Sequence, residues 1–171
     1  MRQLKRFAAA GAAMATAVGS AALMMVSAPG AAALPPGVDP SLITFSNILR
    51  RCDASPLQYV SAAGEGRATA HIRTEGSGEL VADVDLAVAE PFTFYEVKLI
   101  QMPRSSAAGC GAGAPGTAVG AINTNAAGSG FVTLRGPIAS GATGAWISIE
   151  QPQPFSQVPD EFYTSDRIVD I

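Results

Sequence analysis

Along most of the chain the apolar positions recur every second residue rather than every third or fourth, so the elements they predict are strands. The clearest run is 79–88, where Leu80, Ala82, Val84, Leu86 and Val88 alternate with Glu79, Val81, Asp83, Asp85 and Ala87. One face suits burial and the other suits water. The run before it, 67–75, is joined to it through Gly76-Ser77-Gly78. With those three residues as the loop, Glu75 faces Glu79, and Ala70, Ile72 and Thr74 face Val84, Ala82 and Leu80. On the opposite side His71 then faces Asp83, with Arg73 diagonal to it. A two-residue turn would set Ile72 against Val81 and mix the faces. A one-residue slip reverses every side chain, so the three-residue loop is expected.

The same reading gives a second hairpin from 117–123 and 130–135, with turn chemistry at Asn125-Ala126-Ala127-Gly128. An aromatic and β-branched strand is predicted over 92–102, with Glu96 and Lys98 on one face and Val97 and Leu99 on the other. Two late strands follow, 144–150 around Trp146 and 162–171. A further strand falls within 43–51 or 57–63, although 46–51 could instead form one helical turn. Trp146 is read as a core residue. Seven or eight short antiparallel strands with Gly- and Pro-rich turns predict an all-β fold, a single β-sandwich over residues 43–171.

The run FYEVKLIQ at 94–101, then Cys110, then GAINTNAAGSGFVTL at 120–134, GAWISIE at 144–150 and the closing FYTSDRIVDI resembles a pattern in small secreted actinobacterial β-sandwich proteins. Most of those have no assigned function. The middle segment more distantly resembles the immunoglobulin-like apoproteins of the neocarzinostatin type. That resemblance implies an immunoglobulin-like sandwich with an apolar small molecule in a cleft.

Charge changes the picture at the beginning of the chain. Arg2, Lys5 and Arg6 precede an apolar, Ala-rich stretch over 7–26, and no further charge occurs until Asp39. A basic start, an apolar middle and the small-residue exit Ala31-Ala32-Ala33 form the layout of a helical secretory signal peptide over 1–33. The stretch is diluted by Gly11, Thr16, Gly19 and Ser20, which disfavours a retained spanning helix. It lacks the paired arginines of a twin-arginine signal and the cysteine of a lipoprotein. Removing it leaves eight basic residues against 14 acidic ones, a net charge of −6. Such a chain is not drawn to nucleic acid or to anionic lipid. No stable membrane insertion is expected after signal removal. Residues 34–42, with Pro35-Pro36-Gly37 and Pro40, read as a flexible leader.

The expected location, secreted or in the cell envelope, bears on the two cysteines. Cys52 and Cys110 should pair in an oxidising compartment. No C-x-x-C motif points to redox chemistry.

Candidate chemistry is sparse. His71 is the only histidine, and beside Asp83 it could serve a hydrolase as a His–Asp couple. The alternative is a polar cross-strand cluster of His71, Arg73, Asp83 and Asp85 on a wet face. Asp83 and Asp85, with His71 and Glu79 nearby, fall short of the ligand count that calcium or zinc requires. Asp160, Glu161 and Asp166 could serve acid–base chemistry only across a cleft, and the first two are read as capping a turn. Gly109 to Gly116 lacks the lysine and helix of a phosphate loop. No cofactor is expected. The longest irregular segment, 102–116, carries Arg104, Gly109 and Gly111 and is the candidate partner loop; Arg104 at its start offers a protease-inhibitor loop as one alternative. The expectation is therefore a non-catalytic binding or scaffolding module. Its partner would be an extracellular or envelope component, or a small ligand carried between the sheets.

Overall fold

The computed structural model describes residues 42–171 apart from Ser77. The predicted signal peptide (1–33) and the leader (34–42, except Leu42) lie outside the described residues. Nine strands follow in order: β1 (Leu42–Ser46), β2 (Arg67–Glu75), β3 (Glu79–Ala87), β4 (Phe94–Met102), β5 (Thr117–Asn123), β6 (Gly130–Pro137), β7 (Gly144–Glu150), β8 (Phe162–Ser165) and β9 (Val169–Asp170). Among the described residues there is no helix, so 46–51 makes no helical turn. Every ladder is antiparallel, and the strands run β5-β4-β7-β8-β1-β2-β3-β6, with β9 also on β7. The all-β expectation holds, and the sheet winds into a nearly closed barrel.

β2 and β3 pair in the predicted register, from Arg67 against Ala87 to Glu75 against Glu79. That hairpin is local, and the alternation of its own residues determines it. The second hairpin is different. β5 and β6 are both present, and Asn125 shapes the turn by accepting Ala127 N–H at 2.8 Å and Ser129 N–H at 3.2 Å. Among the described residues the two strands do not form a ladder with each other. β5 pairs with β4 and β6 with β3. The turn carries the chain across from one end of the sheet to the other. There the two edges meet through side chains, and the approach is close at Gly120: a Cβ on it would sit 2.6 Å from Leu134 Cδ2, which would have to move.

Three bounds also shift. β4 starts at Phe94 rather than 92. The predicted final strand is interrupted after Ser165: β8 and β9 both pair with β7, but the register slips by two residues between them, from Ser148 against Thr164 to Ala145 against Val169. No strand covers 57–63; β1 is the strand expected within 43–51.

The inner faces fill the barrel. Ile43, Ala70, Leu80, Val84, Leu86, Val97, Leu99, Ile122, Ile147 and Ile149 are all buried in one cluster. Trp146 and Ile100 oppose each other on the outside of β7 and β4, yet both are buried. Residues 47–57 form the cover. Leu49 is buried, Thr164 Oγ1 donates to Ile48 O at 2.6 Å, and Arg50 Nε donates to Thr164 Oγ1 at 3.2 Å. Cys52, on this cover, is bonded to Cys110 with a Cα–Cα separation of 5.5 Å, within the range that a disulfide spans. The predicted bridge therefore staples a small second core as well as the Cys110 loop.

Candidate functional site

The polar cluster read from the sequence lies on the outer face of the β2–β3 hairpin. His71 sits in register between Leu42 and Asp83, and Asp85 between Thr69 and Phe131. Both Asp83 oxygens are engaged: Oδ1 accepts from Thr133 Oγ1 at 2.7 Å, and Oδ2 accepts from Arg73. The Thr133 hydroxyl and then the Arg73 guanidinium hold the Asp83 carboxyl below its ordinary range. Arg73 also pairs with Glu75 at 3.3 Å, while Arg135 bridges Glu75 and Glu79 at 3.1 Å each. Val81, between Arg73 and Arg135 in register, is fully buried on this otherwise wet face. The aliphatic stems of the two arginines account for that. Thr133 and Arg135 belong to β6, whose neighbour the sequence did not reveal. Arg73, Arg135, Glu75, Glu79 and Asp83 thus form a cross-strand ion-pair ladder over the hairpin. Among the described residues no three His, Cys, Asp or Glu side chains come together as a metal site.

The three acids considered for acid–base chemistry are dispersed. Asp166 accepts from Thr44 Oγ1 at 2.7 Å, and Asp160 is exposed. Asp160 and Glu161 close the loop 151–161 through backbone bonds with Gln151 rather than capping a turn. Glu161 Oε2 accepts from both Tyr95 and Tyr163, at 2.6 and 2.8 Å. Burial first, and Glu161 second, push both phenols above their ordinary value. This Tyr–Glu–Tyr group ties β4 to β8 and is invisible in the sequence, where Tyr95 and Glu161 stand 66 residues apart.

The candidate partner loop, read over 102–116, runs from the last residue of β4 to the start of β5. Arg104 folds back, its guanidinium donating to the carbonyls of Gly109 and Pro115, so it braces the loop rather than projecting from it. Gly109 and Gly111 are exposed at the rim. Buried Gln101 holds the facing turn, donating to Pro137 O at 2.9 Å and accepting Ala139 N–H at 2.8 Å. Thr143 N–H bonds Met102 O at 2.8 Å. Between loop and turn opens a cleft of about 490 Å3, bordered by Met102, Pro103, Arg104, Ala108, Ala139 and Ala142, with Ser105 and Ser140 also on its wall. It lies at one end of the barrel and not between the sheets.

Comparison with protein-family models, with curated proteins and with solved structures found no match to this chain.

Proposed function

We propose that this chain is an exported, non-catalytic binding module that takes a small, mostly apolar molecule or side chain in the cleft beside the Cys110 loop. The scaffold is an immunoglobulin-like sandwich, one layer built on β2, β3 and β6 and the other on β5, β4, β7, β8 and β9, with β1 shared between them. The observation that carries the reading is the hollow itself. A volume of about 490 Å3 falls in the range of small-molecule sites, and the lining is mainly apolar with few polar groups, as such sites require. Its walls are held by the disulfide, by Arg104 and by Gln101, so little ordering is needed on binding. The disulfide fits an oxidising extracytoplasmic location, in keeping with the basic and apolar start of the chain. Because the barrel interior is filled, the ligand is assigned to this cleft rather than to a space between the sheets. Asp83, with both oxygens engaged by Thr133 and Arg73, fits a structural ladder better than a partner orienting His71 for hydrolysis.

The test is a titration with a small apolar probe, anilinonaphthalene sulfonate, followed by amide chemical shifts. Perturbations should gather at 101–116 and 139–142, and Ala142→Trp, which fills the hollow, should weaken binding at least about tenfold. Ala108→Leu, a milder filling change, should act in the same direction. Shifts confined to other surfaces, or no binding, would sink the reading.

A further inference from the structure

Of the ten exposed large apolar side chains among the described residues, six belong to the barrel end opposite the Cys110 loop: Val88, Phe92, Phe94, Phe131, Phe155 and Val158. They come from several segments. The 88–93 loop supplies two, the beginnings of β4 and β6 supply one each, and the 151–161 loop supplies two. The two loops are joined, since Gln151 Nε2 donates to Glu90 Oε2 at 3.2 Å.

Three of these residues, Val88, Phe92 and Phe155, have φ of 57°, 53° and 61°. A branched or bulky L residue rarely adopts that left-handed conformation, and such strain persists only where the surroundings over-determine it. Here the surroundings of the 88–93 loop are explicit. Ala89 N–H bonds Gly128 O at 3.0 Å, Thr93 N–H bonds Thr124 Oγ1 at 2.8 Å, and Thr124 Oγ1 donates to Glu90 O at 2.6 Å. Glu90 N–H reaches the Tyr95 hydroxyl at 3.2 Å. Gly128 lies so close that a Cβ on it would stand 2.0 Å from Ala89 O. The fold therefore holds apolar side chains out in water on a fixed frame, at an unfavourable local conformation.

The rim around them is acidic. Glu65, Glu90, Glu96, Glu150 and Asp160 stand at this end against Arg67 and Lys98. Lys98 is shared between Glu96 at 3.0 Å and Glu150 at 2.7 Å. Those two glutamates, with Pro152 and Pro159, border a groove of about 200 Å3.

We propose that this end is a docking surface for a protein partner whose contact region is apolar at its centre and basic at its edge. An apolar centre with a polar rim is the anatomy of a protein interface, and preformed projections cost little to immobilise. The acidic rim decides among occupants. It repels an anionic bilayer and a second copy carrying the same rim, and it attracts lysine and arginine.

The experiment uses two designed amphipathic peptides of equal length and identical leucine pattern, one with lysine on its polar face and one with glutamate. Binding is read by fluorescence anisotropy and amide shifts. The lysine peptide should bind, weaken with added salt, and shift residues of 88–93, 124–131 and 151–161. The double variant Phe92→Ser/Phe155→Ser should weaken it at least about tenfold. Glu90→Lys should weaken it and strengthen the glutamate peptide, a reversal that no loss of fold produces. Four outcomes overturn the proposal: no binding of the lysine peptide, equal binding of both peptides, shifts centred elsewhere, or a lysine-peptide affinity unmoved by the double variant. Co-sedimentation with zwitterionic or anionic vesicles that the double variant abolishes would replace it with a membrane surface. Dimerisation abolished by the same change would replace it with self-association.

Discussion

The two ends of this barrel solve opposite problems with different chemistry. At the Cys110 end a loop of small residues is held away from the barrel, and a hollow results. Its one charged side chain, Arg104, turns inward to the backbone carbonyls of Gly109 and Pro115. At the other end the loops lie tight on one another and apolar side chains project. There hydrogen bonds take the place of covalent bracing: they fix the loop against Thr124 and Gly128 and hold Val88 and Phe92 at positive φ. A hollow needs walls that resist collapse, and a disulfide supplies that. A projection needs only a rigid base, and hydrogen bonds supply it.

If the ends are independently braced, changes at one should leave the other in place. The largest effect should come from Cys52→Ser/Cys110→Ser, which releases a link across 58 residues; the chain-entropy argument gives up to about 4 kcal/mol. Urea denaturation measures the loss. Amide shifts in the remaining folded protein should change at 47–57 and 101–116 and stay put at 88–93. Equal disturbance at both ends would break the comparison. Gly128→Ala should come next, at about 3 kcal/mol, because the new Cβ meets Ala89 O at a φ of 68°. Its disturbance should map to 88–93 and 124–129, with probe binding in the opposite cleft retained.

How far these features were legible depends on how local they are. The pairing of Glu75 with Glu79 follows from residues a few positions apart, and alternation alone specifies it. Asn125 and Gly128 were legible as a turn. That β5 and β6 leave the turn for different neighbours was not, since inward alternation reads the same whichever strand lies alongside. Arg135 therefore went unnoticed as the partner of Glu75 and Glu79. The strand expected at Phe92 begins at Phe94, because Thr93 N–H is taken by Thr124 and Phe92 turns left-handed. Nothing in an alternating apolar run announces positive φ. The disulfide was legible from compartment and count. The hollow beside it was not, because it is made by the spacing of two loops rather than by any motif.

Titration separates the regions more gently. Asp83, on the barrel wall, has its folded carboxyl held below the ordinary value by Thr133 and Arg73. Its contribution is therefore present above the unfolded value, near pH 3.8, and is lost as pH falls through the folded one. The group is partly exposed, so screening keeps the effect below about 1 kcal/mol. Asp83→Asn should flatten the acid limb of the stability curve slightly. At the end opposite the Cys110 loop the sign reverses. Tyr95 and Tyr163 are both raised above 10.0 in the fold, so the folded state keeps protons that the unfolded state releases. Stability then falls as pH climbs past about 10. Phenolate absorbance should show these two tyrosines ionising only as the protein unfolds. An alkaline limb unchanged in Tyr163→Phe would remove them as its cause.

The smallest effect is the most discriminating for the end opposite the Cys110 loop. Asparagine tolerates the left-handed region better than phenylalanine, and Phe92 is 81% exposed, so replacing it loses little packing. Phe92→Asn should therefore raise stability, by at most about 1 kcal/mol, seen as a small increase in Tm. A core aromatic such as Tyr95, truncated to alanine, would instead cost about 3–5 kcal/mol. A stabilising substitution at a fully presented aromatic separates the two reasons a residue can sit in such a conformation. If Phe92 served the fold, its loss would destabilise. If the fold holds Phe92 out for a partner, its loss relieves strain and the deficit appears only in docking. Thermal melting and lysine-peptide binding of the same variant should consequently move in opposite directions, while a melting temperature that falls would place Phe92 among the structural residues and return the two ends to a single account.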